Sequence, residues 1–381
     1  MNQSRLGTIF FVVFIDLLGF SLILPLLPYY AEAFGASDFL TGLLVASYAA
    51  AQLVGAPVLG RLSDRYGRRP VLLASIAGTI VGFLLLGFAD AIGKAVAGSD
   101  VILENGLVLA ILFLSRIIDG LTGGNISVAQ AYIADISNEQ NRARSLGLVG
   151  AAFGLGFIIG PAAGGFLSQW GYEVPALAAA GLATLNWLGV LVFLPESLSD
   201  KARAANVERQ AAQAAARAGQ PRFSLDALKE ALDRPYVGPL LHITFFFGLA
   251  FTMLETIFSL YALNRFELEA RSTGYILTYV GVLSVVVQGG LIGPLTRRFS
   301  ENALILACIG VMAVSLLGWA LAPNVPVLLV VLAPVAFSGG VLNTTLRSAV
   351  TKAVHRDEVG GILGVQTSIE SATRVIAPSL G

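Results

Sequence analysis

Charge is what this sequence has least of. Lys, Arg, Asp and Glu make up 13% of its 381 residues, roughly half the share of about 25% usual in soluble domains. The 24 basic and 24 acidic residues cancel, which leaves no basic surplus for phosphate contacts and argues against a nucleic-acid partner. The single cysteine, Cys308, sits in an apolar run. It excludes a disulfide framework and a cysteine metal cluster. The two histidines, His242 and His355, lie far apart with no motif around them. No nucleophile–base pair, metal or cofactor is therefore expected, and an enzyme is disfavoured. What remains is apolar: 56% of residues are hydrophobic and the mean hydropathy is +0.77. In water such a chain would expose large sticky patches, whereas a lipid bilayer would solvate them. The N-terminus carries only Arg5 before an apolar segment of more than twenty residues with no cleavage site. That segment reads as a first membrane span, not as a removed signal peptide.

Stretches long enough to cross a hydrocarbon layer of about 30 Å fall near 6–29, 39–59, 70–89, 107–133, 144–167 and 174–194. A second set falls near 237–262, 272–292, 302–322, 325–350 and 359–381. The expected architecture is an all-α membrane protein. Residues 1–194 form a six-helix bundle, 195–236 a linker and 237–381 a second bundle, with about eleven spans in all. The linker's Ser199–Gly219 piece reads as a solvated or interfacial helix. Basic residues set the orientation. With the N-terminus inside, the inner loops hold Arg61, Arg65, Arg68, Arg69, Arg142, Arg144, Arg297, Arg298, Lys352 and Arg356, while the outer loops hold only Lys94, Arg265 and Arg271. A cytoplasmic N-terminus and linker follow.

The two halves resemble each other. Gly123-Gly124-Asn125 matches Gly339-Gly340-Val341 at a shift of 340 − 124 = 216, and Gly160-Pro161 matches Ala377-Pro378 at 378 − 161 = 217. Gly60 to Tyr66 aligns with Gly293 to Phe299 at 293 − 60 = 233. Three matches in order point to two pseudo-repeated six-helix bundles. Because the chain stops three residues past Pro378, the end of the eleventh span and a twelfth are expected to be missing.

Several motifs carry chemistry. Between the second and third spans runs Gly60-Arg61-Leu62-Ser63-Asp64-Arg65-Tyr66-Gly67-Arg68-Arg69. Gly60 and Gly67 are expected to permit close approach and left-handed backbone at each end of the turn, and Asp64 to pair with a neighbouring arginine. A plain positive-inside loop would need the arginines but not this glycine and aspartate spacing. In the fourth span, Arg116, Asp119, Gly120, Gly123, Ser127 and Gln130 fall within about 100° on a helical wheel. Such a stripe faces a cavity or another helix, since lipid exposure is costly; an Arg116–Asp119 ion pair is the simpler alternative. In the fifth span, Gly156, Gly160 and Gly164 recur every four residues beside Pro161 and Gly165. They form a smooth groove for close helix packing, with a proline that permits bending.

The first span holds Asp16, with Pro25 and Pro28 further along. A charged carboxyl at that depth costs about 2.5–3.5 kcal/mol on the insertion scale, and one there is suited to take up and release a proton; a hydrogen-bonded packing residue is the plainer reading. In the second half, Glu255 has no partner within its own helix, whereas Glu370 and Arg374 stand at ion-pair spacing with Gln366 on the same face. Gln130, Phe246 (in the Phe245-Phe246-Phe247 cluster), Gln288 and Gln366 are the candidate lining of a substrate cavity.

Taken with the repeats, these motifs are similar to those of the major facilitator superfamily, in particular its drug/proton antiporters with twelve helices. The Gly60–Arg69 loop resembles the family's signature loop, which implies a charge latch holding the inner gate closed. The Arg116 pattern resembles that of proton-dependent facilitators and implies a coupling role. Gly156 to Gly165 resembles the antiporter motif of drug exporters. Asp16 to Pro28 and Ala131 to Ile136 look like tetracycline efflux proteins, with Asp135 expected to join the latch. The resemblance implies a monomer that exchanges protons for a small-molecule substrate. Asp16, Arg116, Asp119, Glu255 and Glu370 would be its coupling residues, acting by alternating access about a central cavity in a bacterial inner membrane. There are departures. The ninth span has no acidic residue between its ends, the eighth offers Gln288 but no histidine, and Arg297 stands where the first half has Asp64. They argue against tetracycline itself as the substrate. The competing readings are a sugar or carboxylate facilitator on the same fold and, from another class, a membrane enzyme or channel.

Overall fold

The computed structural model describes residues 3–137, 139–199, 203–204, 208, 225–354 and 358–380. Most of Ser199–Gly219 lies outside the described residues, as do His355, Arg356 and the side chains of Arg142 and Arg144. The described residues are helical with no strand among them, and ten helical spans among them are long and apolar enough to cross a membrane. The chain divides into two compact units. One is Met1–Gln220 with Glu269–Gly274, and the other is Pro221–Leu268 with Tyr275–Gly381.

In the first unit the chain runs α1 (Gln3–Ile23), α2 (Leu27–Ala33), α3 (Asp38–Tyr66), α4 (Arg68–Gly87), α5 (Ala89–Ala97), α6 (Val101–Thr122), α7 (Asn125–Ile136), α8 (Glu139–Leu167) and α9 (Glu173–Phe193). Local chemistry sets the joints. Pro25 falls in the turn between α1 and α2, where a missing N–H costs no helical bond. Ser37 opens α3 by accepting the Leu40 N–H at 3.3 Å, and Asp100 opens α6 by accepting those of Ile102 and Leu103, so each side chain satisfies an orphan donor of the first turn. Helix α1 packs on α8 and α9, α3 on α6, and α4 on α6 and α9. Between them lie Ile9, Val12, Leu17, Leu72, Ile76, Phe83, Leu112 and Tyr132, all buried. The outer faces stay apolar: Leu185, Val192 and Phe193 on α9 are exposed. Those side chains are placed for lipid.

The remaining helices are α10 (Leu225–Asp233), α11 (Val237–Phe266), α12 (Ala270–Val286), α13 (Ile292–Arg298), α14 (Glu301–Ala320), α15 (Val325–Lys352) and α16 (Val359–Leu380). They belong to the second unit except the start of α12, Ala270–Gly274, which belongs to the first. A π-helical turn, Val287–Leu291, joins α12 to α13. Helix α14 packs on α15, and α11 on α16. Helix α16 stands where the eleventh span is expected. Both repeat prolines, Pro161 and Pro378, lie inside helices, but the repeats part at the paired glycines. The fourth span breaks at Gly123-Gly124, while α15 runs unbroken through Gly339-Gly340.

Candidate functional site

In the first unit Asp16 is half-buried on α1, and the side-chain amide of Asn125, the first residue of α7, donates to its Oδ1. Val12, Val13, Asp16, Ile76, Asn125, Ile126, Ala129 and Asn186 line one crevice too tight for a water molecule. Asn186 on α9 is buried and donates to the Val12 carbonyl at 3.0 Å. Nearby on α6, Arg116 and Asp119 pair at 3.3 Å, both almost wholly buried. The guanidinium lies 5.6 Å from the centre of the Phe83 ring, a cation–π distance, and its Nη2 has no hydrogen-bond partner among the described residues. Asp119 is close enough to Asp16 for their charges to interact. A carboxyl and an amide thus meet in a crevice too tight for water, with the carboxylate of a buried ion pair within charge reach, in an environment where charge interactions are strong.

The helical-wheel stripe does not survive as one face. Arg116, Asp119, Gly120 and Gly123 are buried, but Ser127 and Gln130 are exposed. The break at Gly123-Gly124 interrupts the 100° progression between them.

At the opposite end of α7 the residues expected to form the latch come together. Helix α3 continues to Tyr66 and α4 begins at Arg68, so the turn is the single residue Gly67, with φ +105°. Only glycine adopts that region without strain. Gly60, expected to do the same, lies inside α3 with open space where a Cβ would go. The helix absorbed it because nothing in its surroundings demanded a turn. Arg68 is buried and pairs with Asp64 at 2.7 Å and Asp135 at 3.0 Å. Arg65 lies exposed, 5.3 Å from the centre of the Tyr66 ring, and Arg69 donates to the Leu191 carbonyl at 2.5 Å.

Glu196, which no sequence pattern singled out, ties this latch to the end of the sixth span. Its Oε1 accepts the backbone N–H groups of Arg68 (3.0 Å), Ser197 (2.9 Å) and Leu198 (3.0 Å), and its Oε2 that of Arg69 (3.1 Å). The first two orphan donors of α4 are therefore capped by a carboxylate at the positive end of the helix. Removing such a cap costs about 0.5–2 kcal/mol. Glu196→Ala is expected to lower the melting temperature of the purified protein and to speed tryptic cleavage after Arg68. Glu196→Gln, which retains one acceptor oxygen, should fall between; unchanged cleavage in Glu196→Ala would show that the cap does not hold the latch.

The glycine groove packs against α1. A Cβ on Gly156 would approach Leu17 at 3.2 Å, one on Gly160 would approach the Leu22 nitrogen at 2.9 Å, and one on Gly164 would strike the Leu22 carbonyl. The Ser21 hydroxyl donates to the Gly156 carbonyl at 2.8 Å. Pro161 and Gly165 are buried, Gly165 against the backbone at Ala270 and Arg271.

In the second unit the expected Glu370–Arg374 pair does not form. Glu370 takes Arg347 of α15 at 2.7 Å, and Arg374 is the charge that faces Glu255. A partner on a neighbouring helix displaced the one at i+4. Phe246 is exposed, whereas Phe245 and Phe247 pack against apolar clusters. Gln288 is exposed within the π-helical turn, and Gln366 is buried with Oε1 unpartnered among the described residues. The loop that aligns with Gly60–Arg69 carries a charge-inverted counterpart of the Arg68 ion pairs. Glu301, aligned with Arg68, takes Lys352 near the end of α15 at 2.7 Å and the Ser348 hydroxyl at 2.6 Å.

Residues 9–378 match the Major Facilitator Superfamily. The class C tetracycline resistance protein of Escherichia coli is 31% identical over 387 residues, an alignment covering 99% of this chain and 88% of the relative. Multidrug resistance protein 2 of Bacillus subtilis (strain 168) is 27% identical, covering 100% and 89%. Among solved structures, that of a D-xylose–proton symporter superposes with a TM-score of 0.69 at 16% identity, covering 99% of this chain and 87% of the other; this likeness concerns the fold alone. A helical, many-span architecture and a family match over nearly its whole length make this chain a multi-pass membrane transporter of small molecules, and it belongs to the major facilitator superfamily.

Proposed function

We propose that this chain exports amphipathic, drug-like molecules in exchange for protons by alternating access, as a bacterial inner-membrane protein with a cytoplasmic N-terminus. The observation that carries the reading is Asp16. It is an acid in the first span, held by Asn125 and within charge reach of Asp119, the buried partner of Arg116. A carboxyl so placed exchanges a proton at small structural cost, and Arg116 supplies a nearby charge that senses the exchange. Glu255 with Arg374, and Glu370 with Arg347, are the second unit's candidates for the same role. The direction of transport rests on the glycine groove of α8, on the tetracycline and multidrug resistance named for the relatives, and on the orientation implied by the basic loops. The chain acts as a monomer in this reading.

The test is efflux of preloaded ethidium from cells expressing the full chain, with and without a protonophore. Export that stops with the protonophore supports the proposal. Export that continues unchanged removes proton coupling. Uptake of a sugar or carboxylate in place of ethidium export would favour a metabolite facilitator.

A further inference from the structure

The break in the fourth span is built, not accidental. Two carbonyls left without helical partners at the end of α6 are taken up by side chains: that of Thr122 by the Ser75 hydroxyl, and that of Gly123 by the Gln52 amide at 2.9 Å. Paired glycines alone do not cause it, because Gly339-Gly340 sits at the matching place in α15 and the helix continues. The next residue differs: Val341 in the second unit, Asn125 in the first. Asn125 spends both ends of its amide at the break. The NH2 donates to Asp16, and the oxygen accepts the Ile126 N–H at 2.8 Å.

Helix α7 therefore begins on Asp16 and ends on the latch. Near its far end Asp135 Oδ2 accepts from Arg68 Nε at 3.0 Å and from the Ser197 hydroxyl at 2.9 Å, and the Tyr132 hydroxyl donates to the Pro195 carbonyl at 2.9 Å. From residue 125 to residue 135 a helix rises about 15 Å. We infer that α7 is a lever, and that Asn125 is the positioning residue through which the charge on Asp16 sets the Arg68–Asp135 latch. The inference rests on Asp16 being the proton carrier.

The mechanism follows from hydrogen-bond inventory. An ionised Asp16 accepts the Asn125 N–H as a charge-assisted bond. A protonated Asp16 is a poorer acceptor and offers a donor instead, but the amide oxygen that could receive it is engaged with Ile126. Protonation therefore weakens the Asn125–Asp16 bond and sets a new donor competing with Ile126 for the amide oxygen, and the start of α7 shifts. The other groups facing Asp16 are Asp119 with its partner Arg116 on α6 and the neutral Asn186 on α9. Helix α8 brings no charged residue between Leu148 and Leu167, and α4 offers Ile76.

The test is hydrogen–deuterium exchange of the full chain in detergent at one fixed pD, comparing Asp16→Asn with the parent. The expected result is several-fold faster exchange in segments 61–69 and 125–136. In an Asn125→Ser background, which keeps a small polar residue at the break but cannot reach Asp16, the same Asp16→Asn change is expected to leave segment 61–69 unaltered. Asn125→Val, the second-repeat residue, serves as the second variant and should also slow exchange across the straightened 121–126. An equal response of segment 61–69 with and without Asn125 overturns the lever. Ethidium accumulation driven by a pH gradient in proteoliposomes is read in parallel. Asp16→Asn abolishing accumulation while segment 61–69 ignores Asn125 sinks the lever alone, and Asp16→Asn changing neither readout sinks Asp16 as the proton carrier with it.

Discussion

Asp16→Asn is expected to reduce gradient-driven substrate accumulation to none while leaving exchange of substrate across the membrane intact. A gradient of one pH unit is worth about 1.4 kcal/mol per proton, enough for one proton per solute to hold about a tenfold concentration ratio. Proteoliposomes with the parent protein and an imposed gradient of one unit should approach that ratio for ethidium. With Asp16→Asn the ratio should fall to one, because an amide cannot carry the proton. The replacement is nearly isosteric, and its neutral amide oxygen is a weaker acceptor for Asn125 than the carboxylate it replaces. It also relieves a burial cost of about 2.5–3.5 kcal/mol for a charged carboxyl in mid-membrane. The melting temperature should hold or rise, and counterflow without a gradient should persist. A variant that still concentrates ethidium would move the proton to another carboxyl, with Glu255 the next to test.

How much of this was readable beforehand depends on where each partner lies in the chain. The latch was legible where it is local. Asp64 and Arg68 are four residues apart, and Gly67 announces a positive φ. Glu196, 128 residues from the N–H it caps, left no local signal beyond a Pro195-Glu196-Ser197 run at the end of a span. The i,i+4 rule misled at Glu370 because helical spacing permits a pair without excluding a better one, and Arg347 came from another helix. The spans themselves were legible because lipid enforces long apolar helices.

The break at Gly123-Gly124 was hidden for a different reason. Its glycines are shared with the second repeat, where nothing breaks, and the side chains that stabilise it, Ser75 and Gln52, come from the third and second spans. Asn125 could have been noticed as the polar residue replacing Val341. Its partner Asp16 could not have been assigned from spacing, since 109 residues separate them.

The glycine groove yields the last large effect, and it should be graded along one helix. Gly150 has no atom within 4 Å of a would-be Cβ; at Gly156 the contacts are tight, at Gly160 they include the Leu22 nitrogen at 2.9 Å, and at Gly164 the obstacle is a backbone carbonyl of α1. Flexible side-chain tips can move aside, whereas a helix backbone moves only by shifting the whole helix. Overpacking costs about 1–3 kcal/mol even when side chains can adjust, so Gly164→Ala should sit at or beyond the top of that range and Gly164→Val should leave little folded protein. Gly150→Ala should raise stability by up to about 1 kcal/mol, since glycine inside a helix is destabilising by about 0.5–1 kcal/mol relative to alanine. Thermal unfolding in detergent across Gly150→Ala, Gly156→Ala, Gly160→Ala and Gly164→Ala reads the gradient directly. Because these contacts fall at Leu17, Ser21 and Leu22, on the residues directly following Asp16, variants that survive should also shift α1 against Asn125 and weaken gradient-driven transport more than gradient-free exchange. Equal melting temperatures at Gly150→Ala and Gly164→Ala would mean that α1 and α8 are not in this close contact.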